Sequence, residues 1–255
     1  VTLLAGACEP AAVLWPAQGR GATVIAMTSL DSAHVLVVGA TGGLGSAISR
    51  RLADRGARLT LSARSADRLD ALAGDLGDAV AASHAADVTL RDAPAQIVQA
   101  ATAQGPLDGV VYAAGVVAFG PVTELDDDVL DALLQVNLVA PVRLARAAVP
   151  TLADGGFLAH LSAIVAERPT AGMAAYSAAK AGLTGFDAAL NHELRRHKVR
   201  VLDVRPPHTE TGLADRPIAG QAPPLGAGLS PDEVAARVVR AIEEGERDLP
   251  SSAFS

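Results

Sequence analysis

The stretch that most constrains this chain is HVLVVGATGGLGSAISRRLADR, from His34 to Arg55. A short apolar run ends at Gly39. Gly42, Gly43 and Gly45 follow at once, and a helical period then runs from about Gly43 to Arg55. A strand delivered through a glycine turn into a helix is the opening of a βαβ unit. Glycines there permit a tight turn and a close approach of backbone to a pyrophosphate, which meets the outward-pointing amides of the helix N-terminus. The plainer alternative is an ordinary strand-to-helix turn in a chain rich in Ala and Gly. Gly39 and Gly43 stand four apart, so the turn departs from the GxGxxG fingerprint and suits a variant with a wider first loop.

The pattern repeats along the chain. Strands are expected at 57–63, weakly at 79–83, then at 107–115, 156–162 and 198–206, with helices near 66–72, 93–104, 126–149, 174–197 and 231–244 and a short strand after the last. Strands alternating with helices predict an α/β fold, with a parallel sheet covered on both faces. Residues 31–255 read as one nucleotide-binding domain. The Pro- and Gly-rich segment 206–229 is too long for a simple connection and reads as a lid or binding loop. Residues 1–30 have little period. They read as an extension, either preceding a natural start at Met27 or loosely packed, with Cys8 a bystander.

Composition narrows the partners. Of 255 residues 50% are apolar but only 3% aromatic, so the core must be built from Ala, Val and Leu. The formal net charge of −7 leaves no basic footprint for nucleic acid. One cysteine excludes an internal disulfide framework and fits a reducing, cytoplasmic setting. No stretch is expected to span a bilayer, and the six scattered histidines suggest no metal site. His160, two before Ser162, can share a face with it, and reads first as a packed or bonded histidine.

Two further places carry chemistry. The second strand ends in LSAR, where an enzyme choosing NAD is expected to carry Asp or Glu for the ribose hydroxyls. Arg64 offers instead a guanidinium that can pair with a 2′-phosphate, which favours NADP(H) over NAD(H); the alternative is a solvated charge on the exit loop. Tyr176 and Lys180 lie four apart on one helical face, and the chain has only two tyrosines. A nearby cation stabilises a phenolate and suits it to acid–base work, whereas alone the pair is a surface i,i+4 contact.

With these motifs in order the chain resembles the classical short-chain dehydrogenases/reductases, from about His34 to Pro250. That resemblance implies a single-domain, doubly wound Rossmann fold with seven parallel strands and a nicotinamide cofactor. Gly39, Gly43 and Gly45, with Thr41 and Leu44 between them, match the family's glycine turn, although Val38 replaces its usual threonine. Asp87, followed by Val88, matches the acid that contacts adenine. Ala114 and Gly115 end the strand beside the cofactor, and Asn137 matches the asparagine that holds a proton-relay water. Tyr176 and Lys180 match YxxxK. Pro206, Thr209 and Thr211 fall in the stretch beside the nicotinamide, with Pro207 replacing a glycine. The resemblance also implies homodimers or homotetramers paired through the helices at 126–149 and 174–197.

The departures bear on function. The family's catalytic serine lies thirteen residues before the tyrosine, and that position is Ala163. Ser162 is its neighbour, but adjacent strand residues face opposite ways, so it is not expected to substitute. The family's NNAG reads Tyr112-Ala-Ala-Gly115, and His208 is an unusual residue for the lid loop, with a reach toward the substrate side. Two functional readings stand. In one the chain is an NADP-dependent carbonyl reductase or alcohol dehydrogenase, with Tyr176 as acid/base on a small carbonyl or alcohol. In the other it is a nucleotide-binding relative with weak or lost catalysis, acting as a sensor or partner subunit.

Overall fold

The chain crosses itself once, and that crossing places the site. In a computed structural model describing residues 28–254, strand β1 (His34–Val38) is the third of seven strands in one sheet, beside the central one. The chain steps outward through β2 (Arg58–Ala63) to β3 (Val80–Ala85). It then returns past β1 to β4 (Leu107–Tyr112), β5 (Leu152–Leu161), β6 (Arg200–Val204) and β7 (Asp248–Leu249). The order is 3-2-1-4-5-6-7 and every pairing is parallel. The order in which strands are added reverses between β1 and β4, where a doubly wound sheet opens a crevice at its carboxyl ends.

Period-2 alternation sends β1 into two cores. Val35 and Val37 meet α1 (Gly43–Asp54) and α7 (Pro231–Glu243) through Ile48, Leu52, Val234, Val238 and Ile242. Leu36 and Val38 meet α3 (Ala93–Thr102) and α5 (Ala140–Ala148) through Ile97, Ala101, Leu144 and Ala148. With few aromatics the fit comes from small residues. Gly109 is needed because a Cβ there would overlap the ring of Phe157 on the neighbouring strand. Helices α2 (Ala66–Leu76), α4 (Asp127–Leu134) and α6 (Ala174–Glu193) complete the layers. Ser65 caps α2, Asp126 caps α4, and Ser230 forms a capping box with Glu233 at the start of α7.

Several expectations need correction. The helix foreseen at 126–149 is interrupted by a π turn over Gln135–Val139. Three groups explain it. Pro141 lacks the N–H that an α-helix would donate to the Asn137 carbonyl. The Tyr112 hydroxyl donates to the Val136 carbonyl at 2.7 Å, and the Asn137 amide donates to the Leu133 carbonyl at 3.0 Å. The run Asp127–Thr151 is also long and apolar enough, by length and composition, to cross a bilayer, contrary to expectation. Here Ala140, Leu144, Ala145 and Ala148 turn its apolar side into the core. The domain also begins earlier than 31: Thr28 N–H donates to the Glu243 carbonyl at 2.9 Å and Leu30 is buried. The expectations for residues 1–27, Cys8 and Met27 among them, lie outside the described residues.

Candidate active site

The glycine turn at the end of β1 is closed by backbone on both sides. Gly39 has φ +82°, and a Cβ there would overlap the Ala114 amide at the end of β4. A Cβ on Gly45 would overlap the Gly39 carbonyl, and one on Gly43 would sit 2.6 Å from the Thr211 Cβ. The residue preceding α1, Gly42, brings no side chain to its first turn, and no acid stands there. First-turn amides have no intrahelical acceptors, so this is a cradle for an anion. The cradle suits the pyrophosphate of a dinucleotide, and a side chain at any of the three close glycines would collide with Ala114, Gly39 or Thr211. Thr41 and Leu44 lie half-buried along the same turn.

Beside it, Arg64 is exposed at the end of β2, and the Arg68 guanidinium donates to the Thr41 carbonyl. The second arginine was not singled out from sequence; its only signal is a position one helical turn beyond Arg64. Asp87 accepts from the Thr89 amide at 2.9 Å and from the Thr89 hydroxyl at 2.8 Å. The amide bond, opposed by burial and seconded by the hydroxyl and the Arg64 charge, holds its carboxyl below the usual range. Val88 is buried in the core, which leaves its backbone as what it can offer a ligand.

Toward the other end of the crevice three side chains converge. Asn137 is fully buried; its amide donates to the Val116 carbonyl at 2.9 Å and its Oδ1 accepts the Val116 N–H at 3.2 Å. A Cβ on Gly115 would lie 3.2 Å from Asn137 Oδ1 and 3.8 Å from Lys180 Nζ, so Gly115 lets both approach the same backbone. Lys180 Nζ donates to the Leu161 carbonyl at 2.6 Å and stands 5.9 Å from the centre of the Tyr176 ring. Burial pushes the lysine down to about 8, against the opposing pull of Asp203 and then Asp187. Burial also holds the Tyr176 phenol above its ordinary value. The sequence reading has Lys180 lower the phenol; here its ammonium stands over the ring, and burial is the influence that sets the tyrosine.

Residues 162 and 163 face as strand alternation requires. Ser162 Oγ donates to the Lys180 carbonyl at 3.0 Å and lies 3.2 Å from the Thr184 hydroxyl, on the helix side. Ala163 packs with the cluster of Val117, Val165 and Tyr176, so a methyl stands on the site side. His208 lies against Gly228, with Nε2 3.5 Å from Glu210, and makes no hydrogen bond to the tyrosine. Pro206 is buried, and its carbonyl receives the Ile164 N–H at 3.0 Å; the Thr209 hydroxyl donates to Pro207 at 2.9 Å.

The loop 206–229 is tied down rather than loose. Ile218 N–H donates to Val117 at 2.8 Å, and Phe119 N–H donates to Ala219 at 3.0 Å. These bonds lay it beside a cavity of about 150 Å³ lined by Phe119, Val129, Leu133, Met173, Tyr176 and Ala219. Glu124 and Asp126 also line that cavity. Among the described residues no three His, Cys, Asp or Glu stand together as metal ligands.

A parallel doubly wound sheet with a glycine cradle at its switch point and a buried Tyr–Lys–Asn group defines a nicotinamide-type oxidoreductase site. The family model for short chain dehydrogenases matches residues 33–221, and the chain belongs to that family. It is 28% identical over 221 residues to an uncharacterized oxidoreductase of Staphylococcus aureus, covering 86% of this chain and 94% of the relative. It is 32% identical over 219 residues to the cyclic-di-GMP-binding biofilm dispersal mediator protein of Escherichia coli, covering 83% and 90%. A short chain dehydrogenase of Burkholderia cenocepacia, solved in complex with NADP, superposes with a TM-score of 0.79 at 29% identity, covering 89% of this chain and 100% of that one.

The lysine gives a test of the site's energetics. A base whose folded value is lowered from 10.5 to about 8 costs stability fully below pH 8, and the cost fades as pH rises toward 10.5. Lys180→Met is expected to unfold later than the parent at pH 7, by on the order of 3 kcal/mol. Denaturant melts at pH 7 and pH 10 check this, with the advantage shrinking at the higher pH. A variant less stable at pH 7 would contradict it.

Proposed function

We propose that the protein is an NADP(H)-dependent reductase or dehydrogenase acting on a small carbonyl or alcohol, with Tyr176 as its acid/base. The observation that carries this is the convergence of Tyr176, Lys180 and Asn137 at the end of the crevice that begins with the glycine cradle. In this reading Gly39, Thr41, Gly43, Leu44 and Gly45 hold the pyrophosphate. Arg64, with Arg68 behind it, takes the 2′-phosphate, while Asp87 and Val88 hold the adenine. Ala114, Gly115, Pro206, Thr209 and Thr211 border the nicotinamide, which when bound supplies or accepts the hydride.

The chain's own part is proton handling. Tyr176 gives its proton to the carbonyl oxygen in reduction and takes it back in oxidation. Lys180 places positive charge beside the phenol as it ionises, and Asn137 holds the end of the relay to solvent. Ala163 donates nothing to the substrate oxygen, so that oxygen relies on Tyr176 alone. The cavity beside Tyr176 is small and apolar with carboxylates at its edge, which suits a neutral substrate over an anionic thioester. We take the cytoplasm as the setting and a homodimer or homotetramer as the working form, paired through the helices α4–α5 and α6.

Turnover is expected to prefer NADPH over NADH by about tenfold or more, and Arg64→Ala to erase most of that preference. In the same assays Tyr176→Phe is expected to lower kcat by about a hundredfold or more. Equal rates with both cofactors would overturn the NADP assignment, and unchanged turnover in Tyr176→Phe would overturn the mechanism.

Ala163→Ser tests the missing donor separately. A preorganised hydroxyl aimed at the substrate oxygen contributes up to a few kcal/mol to the transition state, so kcat is expected to rise about tenfold or more. No change in an active parent would mean that another group already fills that place. A panel of carbonyls giving no turnover with either protein would favour a nucleotide-binding role instead.

A further inference from the structure

The turn that carries Asn137 is held by a tyrosine to which the mechanism above gives no part. Tyr112 ends β4 with its ring buried in the core that holds Val38, Ala140 and Leu144. Its hydroxyl crosses to the helix and donates to the Val136 carbonyl at 2.7 Å. Burial, then the Asp87 charge, holds this phenol above its ordinary value, so it keeps its proton and stays a donor.

The carbonyl it meets follows from the helix register. In an α-helix the Ala140 N–H would donate to Val136, four residues back. Here it donates to Gln135, five back, and that bond is the π turn. The next donor in this register, serving Val136, would be residue 141, a proline with no N–H. The π register therefore deprives the Val136 carbonyl of a backbone donor, and the Tyr112 hydroxyl fills the place. An α register would instead leave the Asn137 carbonyl without a donor at the same proline. Pro141 thus imposes one orphan carbonyl in either register, and the hydroxyl satisfies the one that the π turn creates. A carbonyl turned into the protein is costly to leave unpaired, so this bond favours the π register.

Register decides where Asn137 stands, because each residue steps about 100° around a helix. In the register observed, Asn137 reaches the Val116 backbone with both ends of its amide, at 2.9 and 3.2 Å, beside Gly115 and Lys180. We propose that Tyr112 is a positioning residue, whose hydroxyl fixes the π register of the helix and so holds Asn137 at the end of β4. Tyr112 acts through Asn137, and its use in turnover rests on the reductase reading above.

The chain has two asparagines, Asn137 and Asn191, so 15N-asparagine gives two side-chain amide pairs. Asn191 bonds the Val201 backbone at 2.7 and 3.0 Å and serves as the internal control. In Tyr112→Phe, which keeps the ring, the Asn137 pair is expected to shift and to exchange its protons with water faster, while the Asn191 pair stays in place. Unmoved Asn137 signals in the folded variant overturn the proposal. Equal loss of protection at both asparagines also overturns it, since that marks a general loosening. Should Tyr112→Phe not fold, Pro141→Ala provides a second background, because an N–H at 141 serves a carbonyl in either register. There the Asn137 pair is expected at its parent position with Tyr112 present and displaced once Tyr112→Phe is added; equal signals in the two overturn the proposal. Neither arm needs turnover, so failure of every carbonyl to react would sink the reductase reading and leave this result standing. In an active parent, Tyr112→Phe is expected to lower kcat by about tenfold or more with the KM for NADPH unchanged. An unchanged kcat beside a displaced Asn137 would overturn its part in turnover.

Discussion

The structure depends on keeping an ammonium group where water does not reach. Lys180 is only 4% exposed, bonded to the Leu161 carbonyl and facing the Tyr176 ring. Burial lowers its hold on the proton, and two carboxylates, Asp203 and then Asp187, resist that. Holding these groups in register requires that β5, α6 and β6 be fixed to one another. They are fixed by Ser162 bonded across to Lys180 and Thr184, by Asn191 bonded to Val201 at both its amide ends, and by Arg205 with its three carboxylates. The Tyr176–Lys180 end of the crevice is thus a consequence of how one helix is pinned to two strands.

The cofactor end follows from a different constraint, the closeness of backbone to backbone. Gly39 against Ala114, Gly45 against Gly39 and Gly43 against Thr211 bring together the end of β1, the end of β4 and the base of the loop at 206–229. No side chain fits in those gaps, so the turn stays tight and the first-turn amides of α1 are left open for an anion. Between the two ends stands Asn137, on a π turn created by Pro141 and by the bonds that Tyr112 and Asn137 make to the helix backbone. Tyr112 takes a place where the family carries asparagine, and it serves here as an anchor for that turn.

Much of this was legible in the sequence because it is local. The β1–turn–α1 unit spans about twenty residues and shows its periods and glycines directly, and YxxxK lies on a single helix. Period 2 also fixed that Ser162 and Ala163 face apart, as the Ser162 bond to Lys180 bears out. Other features join residues distant in sequence and leave no period to read. His160 meets Asp187 across 27 positions, Arg68 meets Thr41 across 27, and Tyr112 meets Val136 across 24. An aspartate in an Ala-rich helix was the one trace of the first. The π turn was hidden because Pro141 lies within an otherwise unbroken helical pattern. Leu30 was set outside the domain because a single buried leucine in an irregular lead-in has no pattern of its own.

Hydride transfer is the claim on which the functional account turns, and isotope transfer tests it most directly. The protein would be incubated with NADPH deuterated at the nicotinamide C4 and a panel of small neutral ketones and aldehydes, and the products examined by mass spectrometry. The account predicts deuterium on the new carbinol carbon with the parent and its near-absence with Tyr176→Phe. Tight binding of NADPH with no deuterium transferred to any carbonyl would contradict it, and would make the chain a nucleotide-binding member of its family.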